Sequence, residues 1–273
     1  MNTATAARTL DFKHVRLTLD GSVALLTLNH VEVLNSISSD MLQGINDALD
    51  AVTDPANDVR CLLLTGEGRA FCTGANLQGR KPSADGKAAK AGSTLETEFH
   101  PTLRRFRDLH CPIVAAVNGP CAGAGMSFAM LGDLIYAARS SYFLQAFRRI
   151  GLVPDCGATW LLPRLVGRAR AMELSLLGDK LPAETAAEWG IVNKVLDDDQ
   201  LMPEALKLAR MLSEGPTVAL ALTRRLYWDS PSNSFEEQLD AEARAQRKAG
   251  ASADFAEGVS AFLQKRTAQF RGR

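Results

Sequence analysis

Charge of one sign is what this sequence most plainly lacks. Lysine plus arginine and aspartate plus glutamate each total 31, so the formal net charge is zero. Without an overall basic field a chain has no general means of holding a phosphate backbone or an anionic bilayer surface. Neither nucleic acid nor membrane is therefore expected as a partner, and only local basic patches are left open. No apolar run is long enough for a membrane-crossing helix.

Cysteine is scarce and unpatterned. Cys61, Cys72, Cys111, Cys121 and Cys156 form no CxxC pair, and none is spaced with a histidine as metal ligands are. No metal is expected, and the odd count reads as reduced thiols in a cytoplasmic protein. The nucleotide-binding loops are missing too: there is no GxxxxGK[ST] and no GxGxxG after a first strand. The opening residues carry no apolar leader segment, and residues 1–10 are read as a flexible tail.

What is present fits a soluble protein with a sizeable core, with 46% hydrophobic and 23% charged residues. Two β-rich runs, 14–19 and 22–28, flank Asp20-Gly21, a hairpin signal. Residues 36–52 show helical spacing behind serines. The runs 60–66 and 111–119 are short, apolar and end at turns, as buried parallel strands do. Residues 134–138 and 142–147 are strand-like, and from Gly157 onward the pattern is mostly helical. The polar stretch 79–94 reads as a mobile surface loop. Alternating strands and helices with a helical last third imply an α/β body, over 11–200, and a helical C-terminal region, over 201–273.

Two glycine-bearing segments follow two of these strands: "LTGEGRAFCTGANL" (64–77) and "VNGPCAGAGMSFAM" (117–130). Glycine lets a backbone turn sharply and approach a ligand. One N–H from each segment, aimed at one point, would stabilise a developing oxyanion; otherwise these are plain strand-to-helix turns. A third segment, "GLVPDCGATWLLPRLVG" (151–167), holds one carboxylate, Asp155, among apolar residues. It is read either as a helix cap or as a proton-moving carboxylate in a dry pocket.

These three segments, together with "EWGIVNKV" and "EGVSAFLQKR" in that order, resemble the crotonase (enoyl-CoA hydratase/isomerase) family over residues 14–270. The resemblance implies a superhelix of ββα units, an α-helical C-terminal trimerisation region, and a homotrimer or dimer of trimers. It implies an acyl-CoA thioester ligand, with coenzyme A as part of the substrate and no separate cofactor. Carried over by position, the oxyanion hole would be the amides of Ala75 and Ala124. Coenzyme A would be bound by Asn76, Leu77 and Gln78, with Phe262 and Lys265 at its adenine end. His100, Ser127, Phe147 and Leu152 would border the acyl pocket.

Departures from the family pattern bear on the reaction. The two glutamates of family hydratases align with Ser127 and Phe147, so addition of water has no evident acid and base. Asp155 stands where family isomerases keep their base, and desolvation by Phe147, Leu152 and Val153 would raise its pKa. The expectation is an acyl-CoA isomerase that moves a proton, in a double-bond shift or in an epoxide-to-oxepin rearrangement. The alternatives are an enoyl-CoA hydratase and a non-catalytic acyl-CoA-binding scaffold. A dehalogenase-like use of Asp155 as nucleophile would call for an aromatic pocket, and only 6% of residues are aromatic. Asn76, Ala158, His30-Val31 and Val33 also depart from the family pattern, which bears on coenzyme A contacts.

Overall fold

The computed structural model describes residues 7–77 and 91–273. Its main sheet has seven strands in the order β1-β2-β3-β4-β5-β7-β10. They are β1 (Arg8–Phe12), β2 (Val15–Asp20), β3 (Val23–Leu28), β4 (Cys61–Gly66), β5 (Ile113–Val117), β7 (Leu134–Ala138) and β10 (Lys194–Leu196). β1, β2 and β3 pair antiparallel, and every later pair is parallel. A second, three-stranded sheet joins β6 (Cys121–Ala122), β8 (Tyr142–Leu144) and β9 (Leu181–Pro182).

The hairpin turns at Gly21, whose φ of 57° suits a residue without a Cβ. The first strand is a correction to the expected tail. It starts at Arg8, because residues 8–12 find a full antiparallel register on β2, from Arg8 opposite Leu19 to Phe12 opposite Val15.

Helix α1 (Ser39–Thr53) opens on Ser38, whose hydroxyl accepts from the Met41 amide, and buries Met41, Leu42, Ile45 and Leu49 against the sheet. The stretch expected as a loop is described only from Ala91. There a short α2 (Ala91–Thr94) runs through one π-type turn into α3 (His100–Arg107). α4 (Ala124–Ala129) is buried along its whole length. The strand expected over 142–147 ends at Leu144, and Phe147–Ile150 is a 3₁₀ turn closed by Gly151 at φ 68°. α5 (Ala158–Leu177) and α6 (Ala183–Glu188) complete the body.

The C-terminal helices are α7 (Leu201–Ser213), α8 (Thr217–Asp229), α9 (Phe235–Gly250) and α10 (Ala253–Leu263). α7 belongs to the body's packing: Leu201, Ala205 and Leu208 join Val23, Leu63 and Val114 in one apolar cluster. α8 is fastened by Arg224, nearly fully buried, which donates to Asp133 at 2.7 Å and to the carbonyls of Phe106 and Arg107. α9 has no fully buried side chain. Among the described residues no helix is long and apolar enough to cross a membrane.

Candidate active site

The site begins where β4 and β5, neighbours in parallel register, run out at the same edge. Beyond them an isolated parallel bridge sets Cys72 opposite Cys121, with Cys72 N donating to Pro120 O at 3.2 Å and Ala122 N to Cys72 O at 2.9 Å. Both glycine segments then turn together. Gly74 has φ 100° and Gly123 φ 53°. A methyl group on Gly74 would lie 3.0 Å from Ala122 O and 3.5 Å from the Ala124 amide nitrogen, so the two turns touch.

The two turns bring main-chain amides close together. Ile37 N donates to Gly74 O and Asn76 N donates to Ile37 O, both at 2.7 Å. In such a parallel bridge the residue between, Ala75, turns its own N–H to the opposite side. Ala124 is the first residue of α4. The amides of Met126 and Ser127 already bond Gly123 O, which leaves those of Ala124 and Gly125 at the open helix end. The sequence points to the amides of Ala75 and Ala124; it does not point to the side chain that fixes the first turn. Asn35 is fully buried at φ 55°, and its Nδ2 donates to Glu67 O and Ala70 O while its Oδ1 accepts from His30 N. It holds the first turn from a loop about thirty residues upstream, where no local pattern marks it.

Asp155 lies on the loop before α5 and is partly buried. The N-cap of that helix is Gly157, two residues on, at φ 82°; Cys156 between them is also left-handed, at φ 52°. The Asp155 carbonyl accepts from Ala158 N at 2.9 Å and from Ser127 Oγ at 3.2 Å. The Cys156 thiol hydrogen-bonds the Asp155 carboxylate, and burial followed by that carboxylate pushes the thiol far above its ordinary range. It stays protonated and is a donor rather than a nucleophile.

Of the residues expected around the acyl group, Phe147 is buried with its ring 3.7 Å from where a Gly123 methyl would be. His100 is half-buried at the start of α3, and Leu152 is exposed on the turn before Asp155. Ser127 is fully buried, and its hydroxyl donates to the Asp155 carbonyl. A cavity of about 530 Å³ opens beside Cys156 and Gly157, walled by Leu103, Arg104, Arg107 and Trp160. The Trp160 ring stacks on Trp228, with centroids 5.4 Å apart.

Of the expected coenzyme A contacts, Asn76 is half-buried and Leu77 exposed, next to the first amide donor. Gln78 lies outside the described residues. Phe262 and Lys265, at the end of α10, are exposed. Among the described residues no group of three or more His, Cys, Asp or Glu could hold a metal ion.

Two glycine turns in contact, with the loop of Asp155 bonded to the helix that follows the second, on this α/β superhelix, are features of the crotonase class. The chain belongs to it: the enoyl-CoA hydratase/isomerase family model matches residues 18–273. A relative from Escherichia coli K12, 1,2-epoxyphenylacetyl-CoA isomerase, is 47% identical over 255 residues, covering 93% of this chain and 97% of its own. A probable enoyl-CoA hydratase from Rhodobacter capsulatus is 40% identical over 268 residues, covering 97% of this chain and all of its own. The crystal structure of an enoyl-CoA hydratase/isomerase from Cupriavidus metallidurans superposes with a TM-score of 0.89 at 30% identity, covering 96% of this chain and 98% of that one.

Proposed function

We propose that this crotonase is an acyl-CoA isomerase with Asp155 as its only proton carrier. The Asp155 carboxylate takes a proton from carbon next to the unsaturation, and the electron pair moves through the conjugated system onto the thioester oxygen. The amides of Ala75 and Ala124 donate to that oxygen as its charge grows. The carboxylic acid so formed returns the proton to a different carbon, and the charge collapses back. No atom is gained or lost.

The observation that carries this reading is what fills the two positions where the resemblance puts a hydratase's glutamates. One is the buried Ser127 hydroxyl and the other the buried Phe147 ring. Neither can activate water, while Asp155 stands on the loop that Ser127 holds. The E. coli relative's name adds a second substrate class, a ring epoxide of an aryl-acyl-CoA. Coenzyme A would lie along Asn76–Gln78, with Phe262 and Lys265 of a neighbouring copy at its adenine end, in a trimer or dimer of trimers. The five free, buried cysteines suit a reducing cytoplasm.

The test is spectrophotometric. A 3-enoyl-CoA gains the absorbance of conjugation when the protein is added, and crotonyl-CoA keeps its own. Rapid loss of crotonyl-CoA absorbance would establish a hydratase, and no change in either an acyl-CoA-binding scaffold. The ring epoxide is followed by chromatography of its isomeric product.

A further inference from the structure

Ser127 is fully buried, and its neighbours on α4, Met126, Phe128 and Ala129, are buried and apolar. A hydroxyl in such surroundings is costly unless bonded, and alanine would fill the same space. The bond it makes crosses from α4 to the loop of Asp155, donating to the Asp155 carbonyl at 3.2 Å. Ala124, whose amide is the second oxyanion donor, lies three residues earlier on the same helix. At ~1.5 Å per residue those two positions are ~4.5 Å apart along a rigid axis.

We propose that Ser127 is a positioning residue, whose hydroxyl sets Asp155 at a fixed height above the oxyanion donors. This rests on the reading of Asp155 as the base. A thioester oxygen seated on the Ala75 and Ala124 amides determines where the reacting carbons lie, and the base has to meet two of them in turn. The Asp155 carbonyl is also bonded by Ala158 N, which ties it to α5, the helix it precedes. The Ser127 bond ties it instead to the helix that places the oxyanion. Misplacing a catalytic group by 1 Å costs ~10²-fold in rate, so a relaxed loop is felt in turnover without loss of substrate binding.

The experiment is a double-mutant cycle of Ser127→Ala and Asp155→Asn on the full-length protein, with 3-enoyl-CoA as substrate and thermal melting recorded for all variants. Ser127→Ala is expected to lower kcat about tenfold or more, with KM within about twofold of the parent. In the Asp155→Asn background, the residual rate supplied by the oxyanion hole and binding is expected not to fall further. A kcat for Ser127→Ala within twofold of the parent overturns the proposal, and so does an equal loss in both backgrounds, which would mark a general structural role. Full activity of Asp155→Asn alone would defeat the reading of the base itself; an inactive Asp155→Asn beside a fully active Ser127→Ala would defeat only the inference about Ser127.

Discussion

Cys72 and Cys121 stand opposite each other in a parallel bridge, and two residues beyond each lies the glycine, Gly74 or Gly123, that turns its chain into an amide donor. In the proposed mechanism the bridge therefore sets the spacing of the oxyanion hole. It depends on close approach, since a Cβ on Gly125 would sit 2.3 Å from Cys72 O and 2.8 Å from Cys72 Cβ. Gly125→Ala must push α4 away from the first turn. A displaced donor is expected to cost ~10²–10³ in turnover, and overpacking ~1–3 kcal/mol in stability. Steady-state kinetics and urea unfolding measure the two, and an unchanged kcat would show that the spacing is not critical.

Asp155→Asn keeps the shape of the side chain and an oxygen to accept from the Cys156 thiol, but cannot take a proton. Turnover of 3-enoyl-CoA is expected to drop ~10²–10⁴-fold, the usual worth of a general base, with the melting temperature little changed. Near-parental turnover in the purified variant removes Asp155 from the mechanism.

Arg224 fastens α8 to the body. Its guanidinium donates to Asp133 and to the Phe106 and Arg107 carbonyls, and Asp133 in turn accepts from Ile113 N, at the start of β5. Burial pushes the Asp133 carboxyl up, against the pull of Arg224. Arg224→Ala leaves the partly exposed Asp133 carboxylate and the two carbonyls without that partner. Leaving those acceptors unsatisfied is expected to cost ~1–3 kcal/mol. Chemical denaturation is the check, and a loss under 1 kcal/mol would show the fastening to be incidental.

How far the sequence carries a reader differs between these features. The strands β4 and β5 and their glycine turns are legible because apolar runs and glycine are local signals with a local cause. Ser127 is not, because serine in an apolar helix looks the same whether its hydroxyl bonds a helix carbonyl or a neighbouring loop. The Arg224–Asp133 pair spans 91 residues, and an arginine on a mixed helix reads as solvated until the fold brings α3 over it. Arg8–Leu10 read as tail since a short edge strand owes its order to its partner's backbone. Asn35 lies in a turn where asparagine needs no further explanation.

The buried thiols make a pH-dependent prediction. Burial pushes Cys72 and Cys111 up to about 12, against an ordinary 9.0. The folded state then keeps protons that the unfolded state releases. Their contribution to stability is whole below pH 9 and is lost as pH rises from about 9 toward 12. Unfolding midpoints are therefore expected to fall across that window. At pH 8 a thiol reagent is expected to modify none of the five cysteines in the folded protein and all of them in denaturant. Rapid labelling of folded protein would contradict the burial.

Assembly is the last expectation. α9 has no fully buried side chain, and Phe235 on it is 74% exposed; on α10, Phe262 is 83% and Leu263 75% exposed. So much apolar surface on two successive helices asks for a cover. The body does not supply it, whereas α8 beside them is held by Arg224 and Arg60 anchors the tail through the Phe270 carbonyl. A neighbouring copy would cover these helices and carry Phe262 and Lys265 to a coenzyme A site. At ~25 cal/mol per Å², a few hundred Å² of apolar contact is worth several kcal/mol per subunit. Deleting residues from Asp254 onward removes the helix together with the tail that is tied to it through the Arg271 and Gly272 amides on the Asp254 carboxylate, and leaves Arg60 without the Phe270 carbonyl. The truncated protein is expected to lose its trimer and its affinity for acyl-CoA, or to aggregate. Light scattering of the full-length chain decides the matter: a trimer or hexamer at micromolar concentration supports it, and a monomer defeats it.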